Sequence, residues 1–377
     1  MAVESQTLFQ LLDTNLLIKP LQGEWKWHSP LSAPFKVLGF PWLEKEKVYR
    51  RLPLTADHTL PEAVDKLADC TAGGQIRFRT DAPRVAIRVK LRGPASMNHM
   101  PATGQIGFDA YVGEPGQERY IGTSRMKPGE RQYESMLFEG DKPDQLRTVS
   151  INFPLYQGVT EVRVGLPPEA VIEADEFPGS GGRLVFYGTS ITQGGCASRP
   201  GLAYPQQIGR RLQREVINLG FSGSGKGEAE VAKVIRLIPN VDCFIVDYEA
   251  NCTTELYGRT LETFLSLYRE KQPLVPILVV SKIPYVKELV NGIARQERIA
   301  RKRIAINLVR KLNQAGDDRV FFFDGNRLLG DRFDECTVDG VHPNDLGFTR
   351  IAESLIPVLS QILEHCSYNW IEERERV

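Results

Sequence analysis

The stretch that decides the fold is Leu184-Val-Phe-Tyr-Gly-Thr-Ser190-Ile-Thr-Gln-Gly-Gly195. Four apolar residues are followed at once by a loop of small and polar residues. A short, continuous apolar run that ends in turn residues is typical of a strand buried on both faces. The stretch therefore predicts a buried strand, with Ser190 in the loop between that strand and a following helix.

The rest of the C-terminal half repeats this alternation of buried strands and amphipathic helices. Further strands are predicted at 216–219, 243–246, 274–280 and 320–323, and helices at 203–214, 228–237, 255–270, 285–313 and 346–364. Continuous apolar strands that alternate with helices indicate a parallel sheet covered on both faces. This half is therefore predicted to be a three-layer α/β domain.

The N-terminal half has a different period. Within 84–92, Val85, Ile87 and Val89 alternate with charged residues, which predicts a strand with one face in water. Similar short runs occur at 76–78, 106–112, 132–138, 147–153 and 159–166. Several short strands at this spacing predict an antiparallel sandwich or jelly roll. Because the Gly-rich segment 178–182 reads as a junction, we expect a sandwich domain at 1–177 and an α/β domain at 183–377.

Composition limits the classes of function. The chain has 377 residues, of which 42% are hydrophobic and 25% charged, as in soluble globular proteins of two domains. Lysine and arginine number 47, as do aspartate and glutamate, so no overall charge favours nucleic acid or an anionic membrane. No apolar run approaches the roughly 18 residues of a membrane span, and the first twenty residues do not resemble a signal peptide. Six scattered cysteines without a CxxC pair predict a reduced, cytoplasmic protein.

Polar loops follow the predicted strands of the α/β half or precede its last helix. In chain order they contain Ser190, Gly223, Asn251, and the pair Asp339 and His342. Because ligands of open parallel sheets bind beyond the carboxyl ends of the strands, we expect these loops to meet at one rim of the sheet.

These residue types are those that acyl transfer by a serine requires. A serine hydroxyl is a weak nucleophile and needs an imidazole base, which in turn needs a carboxylate to fix its tautomer. Asp339 and His342 lie three residues apart, so one turn can present both. The amides of Ser190 and Gly223 and the side-chain amide of Asn251 are suitable donors to the oxyanion of a tetrahedral intermediate. The sequence therefore predicts a catalytic triad and an oxyanion hole.

Four motifs in this half resemble those of the SGNH hydrolases, also called GDSL esterases and lipases. The motifs are GTSITQGG, NLGFSG, YEAN and DGVHP, in that order. The resemblance assigns the four family residues to Ser190, Gly223, Asn251 and His342, with Asp339 as the third member of the triad. It implies ester hydrolysis through an acyl-serine intermediate.

The N-terminal half adds to the resemblance. Gly107-Phe-Asp-Ala-Tyr111 is similar to the GxDLY signature of a sandwich domain that precedes some SGNH domains. Two-domain relatives commonly resemble carbohydrate esterases, which implies a short acyl group, often acetyl, on a sugar or similar small molecule. The chain departs from the family pattern twice. Thr189 replaces the aspartate of GDS, and Asn251 lies in Ala-Asn-Cys rather than Gly-Asn-Asp.

Other classes of function remain open. An acyltransferase would use the same triad, and a non-catalytic binding module would keep the pocket but not the chemistry. The segment from Gly220 to Lys226 also matches most of a phosphate-binding P-loop, and Asp247 ends a strand where such proteins hold magnesium. However, Gly227 follows the lysine where a P-loop has serine or threonine, so the metal-binding hydroxyl is missing.

The remaining predictions concern ligands. The histidines, cysteines and carboxylates show no metal-ligand spacing, so the sequence predicts no metal and no cofactor. Cys196 lies near Ser190 in the sequence and is interpreted as a buried, inert thiol. The aromatic residues between Trp25 and Trp42 are interpreted as sandwich core rather than as a sugar platform. The expected partner is a small-molecule ester, such as an acetylated sugar, and neither nucleic acid nor a membrane; a homo-oligomer stays open.

Overall fold

The computed structural model describes residues 18–54, 56, 59–127, 129–177 and 181–375, and the side chains as far as His365. Residues 1–17, which hold most of the segment tested for a signal peptide, lie outside this description. So do residues 178–180 of the predicted junction. Below, the N-terminal sandwich means the described residues up to Phe177, and the C-terminal α/β part means those from Gly181.

The N-terminal sandwich consists of two antiparallel sheets that face each other. Its strands are β1 (Lys26–His28), β2 (Lys36–Leu38), β3 (Gln75–Thr80), β4 (Arg84–Leu91), β5 (Asp109–Val112), β6 (Arg119–Thr123), β7 (Gln132–Glu139), β8 (Arg147–Asn152), β9 (Val159–Leu166) and β10 (Ile172–Glu173). One sheet has the order β1-β9-β4-β7; the other has the order β10-β3-β8-β5-β6, with β2 paired to β3. Three short helices lie between the strands: α1 (Leu43–Glu46), α2 (Glu62–Leu67) and α3 (Ala102–Gln105).

The core of the sandwich follows the alternation that the sequence shows. In β4, Val85, Ile87 and Val89 are buried while Lys90 is exposed. These side chains pack in one cluster with Val149 and other residues of the opposite sheet. The predicted antiparallel strands are therefore present.

The C-terminal α/β part contains a five-stranded parallel sheet in the order β12-β11-β13-β14-β15. Its strands are β11 (Arg183–Gly188), β12 (Glu215–Gly220), β13 (Val241–Asp247), β14 (Ile277–Val280) and β15 (Val320–Phe323). Its helices are α4 (Ser190–Gln193), α5 (Tyr204–Leu212), α6 (Ala229–Ile235), α7 (Thr254–Arg269), α8 (Gly292–Gln314) and α9 (Asp345–Glu375). One face of the sheet packs against α6, α7 and α8, and the other against α5 and α9. The predicted three-layer α/β fold is confirmed.

The structure differs from the prediction in one helix and in several short elements. The helix predicted at 285–313 is interrupted, because a 3₁₀ turn (Val286–Leu289) precedes α8 and the Asn291 side chain caps α8 by accepting from the Ala294 amide at 3.0 Å. Strands β1, β2, β6 and β10 and helices α1 to α3 are missing from the prediction. Strand β6, for example, is largely exposed and shows no apolar alternation. Among the described residues, one stretch, Asp345–His365 of α9, is long and apolar enough to cross a membrane. Its Ile351, Leu355 and Leu359 pack in the core against the sheet.

Apolar side chains of the N-terminal sandwich also join the two hydrophobic clusters of the C-terminal α/β part, beside the separate core between the sandwich's own sheets. Leu52 and Val64 of the sandwich share a cluster with Phe221. Met100 and Leu155 share another with Ile191. The apolar contact between the two parts is therefore extensive. The boundary between the two predicted domains stays a prediction.

The GFDAY segment joins the two parts by polar contacts. The Asp109 carboxylate accepts hydrogen bonds from Arg199 at 2.8 Å and from the Gly201 amide at 2.9 Å. The Tyr111 ring lies under the guanidinium of Arg210, 4.0 Å from its centroid. An added Cβ at Gly107 would lie 2.4 Å from the Thr103 carbonyl oxygen, so the backbone passes there only without a side chain. The segment thus docks the sandwich on the chain just beyond α4.

Candidate active site

The turn between β11 and α4 presents Ser190. Ser190 is the first residue of α4, and Thr189 caps the helix by accepting from the Ile191 amide at 3.3 Å. The Thr192 hydroxyl in turn accepts from the Thr189 amide at 3.3 Å. An added Cβ at Gly188 would lie 2.0 Å from the Thr192 hydroxyl oxygen, so only glycine permits this tight turn. Threonine in place of the family's aspartate still supplies a helix cap.

Ser190, His342 and Asp339 form a hydrogen-bonded line at the carboxyl edge of the sheet. Ser190 Oγ lies 2.9 Å from His342 Nε2, and His342 Nδ1 lies 2.7 Å from Asp339 Oδ2. Asp339 Oδ1 also accepts from the backbone amides of Val341 and His342, at 3.0 and 2.7 Å. Both carboxylate oxygens are thereby fixed by the same turn that presents the imidazole. The three predicted triad residues meet in the geometry that serine catalysis uses.

The hydrogen bonds in this turn favour the ionised form of Asp339. Partial burial by itself would raise the pKa of the carboxyl. Donors from the His342 amide, the His342 ring and the Val341 amide outweigh burial and hold the pKa of Asp339 below its ordinary value. Asp339 is therefore a carboxylate at neutral pH, and it can orient His342 and stabilise its protonated form.

Gly223 lies in the loop after β12, which faces the nucleophile turn. Its backbone has φ +65°, and nothing lies within 4 Å of where a Cβ would be. Within the described residues its amide has no hydrogen-bond acceptor, although the next two amides in the loop donate to Phe221. The Ser190 amide is at the start of α4, where backbone donors have no partner within the helix. Both predicted backbone donors are thus available to a ligand.

Asn251 has contacts that the sequence did not indicate. It ends a 3₁₀ turn (Glu249–Asn251), and its side-chain amide donates to the carbonyl oxygens of Phe221 and Gly225 at 3.2 and 3.0 Å. Asn251 therefore holds the loop that carries Gly223. Its predicted role as an oxyanion donor stays a prediction, and it would require one of these two bonds to be exchanged for a bond to the oxyanion.

Asp247 supports the nucleophile turn from inside the protein. Its carboxylate accepts from the Tyr204 hydroxyl at 2.9 Å and from the Thr192 hydroxyl at 3.3 Å. Burial raises the pKa of Asp247 to about 7. This partly buried carboxyl is bonded to two hydroxyls of the nucleophile turn and its surroundings, whereas the P-loop interpretation would need it to face a magnesium ion. The Lys226 amide, in the segment that resembles a P-loop, donates to the Glu228 side chain. It is therefore not free to bind a phosphate group.

The N-terminal sandwich contributes groups that sequence reasoning missed. The His99 ring centroid lies 5.6 Å from that of His342. The Tyr156 hydroxyl donates to the Ser190 carbonyl oxygen at 3.3 Å. Arg51 is fully buried and donates to the carbonyl oxygen of Gly220, at 2.6 Å, just before the Gly223 loop. None of these residues carries a local signal, because each reaches the site only through tertiary contact.

Cys196 lies next to the triad. Its thiol sulfur and the ligand nitrogens of His99 and His342 all lie within 4.8 Å of one another. Burial, followed by the negative charge of Asp339, raises the pKa of the Cys196 thiol to about 12. The thiol is thus protonated at neutral pH and is not a competing nucleophile, since the thiolate is the reactive form.

The aromatic residues at the N-terminus divide into two groups. Phe35 and Phe40 are buried in the sandwich core, as predicted. Trp25 and Trp27 instead lie against the guanidinium groups of Arg84 and Arg88, whose carbons are 4.5 and 4.1 Å from the ring centroids.

Comparisons with known proteins identify the family. Residues 182–360 match the GDSL-like lipase/acylhydrolase family, and residues 25–172 match GxDLY, the N-terminus of SGNH-hydrolase-type esterases. A crystal structure described as a GDSL-like lipase from Bacteroides ovatus is 29% identical, with a TM-score of 0.82 over 90% of this chain and 98% of that one. No protein with a curated description matches the chain in sequence.

Two more distant structures share the fold. A salicylyl-acyltransferase from a tetracycline biosynthetic pathway is 22% identical, with a TM-score of 0.71 over 88% of this chain and 95% of that one. A family two carbohydrate esterase from Cellvibrio japonicus is 15% identical, with a TM-score of 0.56 over 90% of this chain and 98% of that one. Since the two family matches succeed one another along the chain and the first structure spans both, the chain belongs to the GDSL-like lipase/acylhydrolase family and is an SGNH hydrolase with a GxDLY domain at its N-terminus.

Proposed function

We propose that the chain is a serine esterase that hydrolyses short-chain acyl esters, with acetyl the expected acyl group and a carbohydrate or similar small molecule the expected alcohol. One observation carries the proposal: the continuous hydrogen-bonded line from Asp339 through His342 to Ser190, with distances of 2.7 and 2.9 Å. A buried serine hydroxyl bonded to an imidazole whose other nitrogen faces a carboxylate is prepared for nucleophilic attack.

The proposed reaction has two halves. In the first, Ser190 Oγ attacks the ester carbonyl carbon while His342 Nε2 takes the hydroxyl proton. The tetrahedral oxyanion is held by the amides of Ser190 and Gly223, with Asn251 as a third donor. The intermediate then expels the alcohol, which receives the proton from His342, and leaves an acyl-Ser190. In the second half a water molecule gives a proton to His342 and attacks the acyl carbon. The resulting intermediate releases the acid as His342 returns that proton to Ser190 Oγ.

The surroundings of Ser190 support a small acyl group. Ser190 is only 9% exposed. The chain after α4 is crowded, since an added Cβ at Gly195 would lie 2.4 Å from the Tyr156 hydroxyl. Long acyl chains need an extended apolar groove, whereas an acetyl group needs room for one methyl.

The position of His99 supports a role for the N-terminal sandwich in selecting the alcohol. Its ring flanks His342, the group that protonates the leaving alcohol, so we expect a bulky alcohol to contact the sandwich there. Binding energy from a remote part of the substrate raises kcat/KM only for substrates that reach it. His99→Ala is expected to lower kcat/KM for an acetylated oligosaccharide more than for p-nitrophenyl acetate.

An acyltransferase is the second candidate. The observation that favours it is the fold of the salicylyl-acyltransferase, which matches both parts of this chain with a TM-score of 0.71. Such an enzyme would use the same acyl-serine and transfer the acyl group to an alcohol or amine instead of water. Product analysis with and without added acceptor alcohols separates the two, because transfer yields a new ester at the expense of free acid.

The test of the proposed function is a panel of p-nitrophenyl esters from acetate to octanoate, together with an acetylated xylo-oligosaccharide. We expect acetate release from the sugar and a rate that falls as the acyl chain lengthens. Ser190→Ala is expected to be inactive on all of them, whereas the matched control Ser266→Ala, an exposed serine on α7, keeps full activity. A correctly folded protein that hydrolyses no ester of the panel would refute the proposal.

We also propose that the protein acts in the cytoplasm. Its support is that Cys70, Cys196, Cys252 and Cys336 are free thiols, which suits a reducing compartment. Cell fractionation followed by detection of the native protein tests this. Recovery from the secreted or periplasmic fraction would contradict it.

A further inference from the structure

Three metal-binding side chains meet where the N-terminal sandwich touches the catalytic rim. His99 lies between β4 and α3, Cys196 follows α4, and His342 precedes α9. Their ligand atoms all lie within 4.8 Å of one another. We propose that these residues bind a thiophilic divalent cation, with Zn²⁺ the best fit, and that the bound cation switches off the enzyme by occupying the catalytic imidazole.

The donor set selects the class of cation. Two imidazoles and a thiolate form a mixed nitrogen and sulfur site, which suits Zn²⁺ and similar borderline-soft ions rather than Mg²⁺ or Ca²⁺, which prefer oxygen. Zinc bonds of roughly 2.0–2.3 Å place tetrahedral ligand atoms about 3.3–3.6 Å apart. The three side chains therefore have to close by about an ångström, and His99 is free to do so because it lies in a partly exposed loop.

The triad decides which nitrogen of His342 meets the metal. Nδ1 is held by Asp339 at 2.7 Å, so Nε2 is the nitrogen that remains, and it is now bonded to Ser190 at 2.9 Å. A metal on Nε2 would convert the triad into a carboxylate–histidine–metal arrangement, the form in which proteins commonly orient a ligating histidine. Ser190 would lose its general base, and the Ser190 hydroxyl or a water molecule could complete the fourth position.

The local charge balances when the cation is present. Binding displaces the Cys196 thiol proton to solvent and leaves a thiolate beside the Asp339 carboxylate. These two negative charges match the two positive charges of the metal, one directly as a ligand and the other across the His342 ring. His99 makes the site depend on the docked sandwich, because the C-terminal α/β part alone supplies only two of the three ligands.

Zinc binding is best measured apart from catalysis. The probe is Zn²⁺ titrated against a chromophoric chelator in the full-length Ser190→Ala protein, in which no turnover is needed. Cys196→Ser and His99→Gln, each made in that background, are expected to weaken Zn²⁺ binding by about tenfold or more, since losing even an outer partner of a metal ligand costs 10–100-fold. The matched control His28→Gln, a histidine of β1 outside the cluster, is expected to leave the affinity unchanged.

The inhibition experiment rests on the proposed esterase function and is interpreted separately from the measurement of zinc binding. Zn²⁺ is expected to inhibit p-nitrophenyl acetate hydrolysis, with full recovery on adding EDTA. The inhibitory concentration should rise in Cys196→Ser and His99→Gln, each compared with its own activity without metal. Zinc binding that is unchanged by both substitutions, or an inhibition that survives in both, would overturn the proposal. Absence of esterase activity with intact zinc binding would refute the esterase proposal alone.

Discussion

The active site has two sides that come from different halves of the chain and are built in different ways. We call the side that carries Ser190, Asp339 and His342 the rim, and the side that carries His99 and Tyr156 the wall. On the rim, one turn supplies both Asp339 and His342, and one strand-to-helix turn supplies Ser190 and its amide. On the wall, His99 and Tyr156 reach the same site from two separate segments of the N-terminal sandwich. The chemistry is therefore local to short motifs, while the shape of the site depends on how two parts of the chain dock.

This difference predicts two kinds of variant. Substitutions on the rim should remove the reaction and leave the fold unchanged. Substitutions at the docking contacts should weaken the fold and reach the reaction through displacement of the rim. The hydrophobic clusters that span the boundary support the second expectation, because removing the sandwich would expose Ile191 and Phe221 to water.

The largest effect is expected from Ser190→Ala. Without the hydroxyl no acyl-enzyme forms, and losses of triad members lower kcat by about 10⁴-fold or more. The free energy of unfolding should change by less than about 0.5 kcal/mol, because the substitution creates no cavity. Steady-state kinetics with p-nitrophenyl acetate and a melting curve test both statements, and residual activity near that of the native protein would show that the rim is misassigned.

The corresponding variant on the docking side is Asp109→Ala. It removes a fully buried carboxylate that accepts from Arg199, the Gly201 amide and Asn152. Removing one partner of a fully buried ion pair costs about 3–5 kcal/mol, and because Arg199 is 17% exposed we expect a loss at the lower end of this range. Urea unfolding should report this loss, while the exposed Asp141→Ala changes the free energy of unfolding by less than about 0.5 kcal/mol. Equal stability of the two variants would mean that the GFDAY contact does not hold the parts together.

Asn251→Ala lies between these two kinds. As an oxyanion donor, Asn251 would act mainly in the transition state, so its loss should lower kcat by about 10²–10³-fold with a smaller change in KM. Its bonds to Phe221 and Gly225 add a second effect through the position of Gly223. A change in KM alone would identify Asn251 as a substrate contact instead.

The smallest effect concerns pH and tests the support beneath the rim. Burial raises the pKa of Asp247 to about 7, from an ordinary value of 3.8, so between these two pH values the folded protein holds a proton that the unfolded chain has lost. The stability from this group is full below the lower value and is lost as the pH rises through about 7. Asp247→Asn, which cannot ionise, should therefore flatten the decline of the melting temperature between pH 5 and 8. Parallel curves for the native protein and the variant would contradict this assignment.

Local pattern was sufficient for the parallel sheet and the rim but not for the wall. The apolar run at 243–246 lies within β13, and the motif residues around Ser190 and His342 reach one edge of the sheet because parallel strands share their carboxyl ends. In contrast, Arg51 bonds to Gly220 across 169 positions, and Asp109 bonds to Arg199 across 90. Neither the apolar periodicity nor a motif predicts which residues pair in this way, because the pairing depends on how the N-terminal sandwich packs against the C-terminal α/β part.

The proposed zinc site depends on tertiary packing in the same way. His99, Cys196 and His342 show no ligand spacing along the chain, yet their ligand atoms converge in the fold. Sequence spacing detects ligands that share a turn or a helix, and it overlooks those that tertiary packing assembles.

The most direct test of the rim is covalent labelling of the native protein with a fluorophosphonate probe, followed by intact mass measurement and peptide mapping. Such probes react with a serine whose hydroxyl is activated by a neighbouring base, which is the state that the Ser190–His342 distance of 2.9 Å indicates. We predict a single adduct on Ser190, absent in Ser190→Ala and strongly slowed in His342→Ala. A folded native protein that takes up no probe, or that takes it up on another residue, would contradict the assignment of Ser190 as the nucleophile.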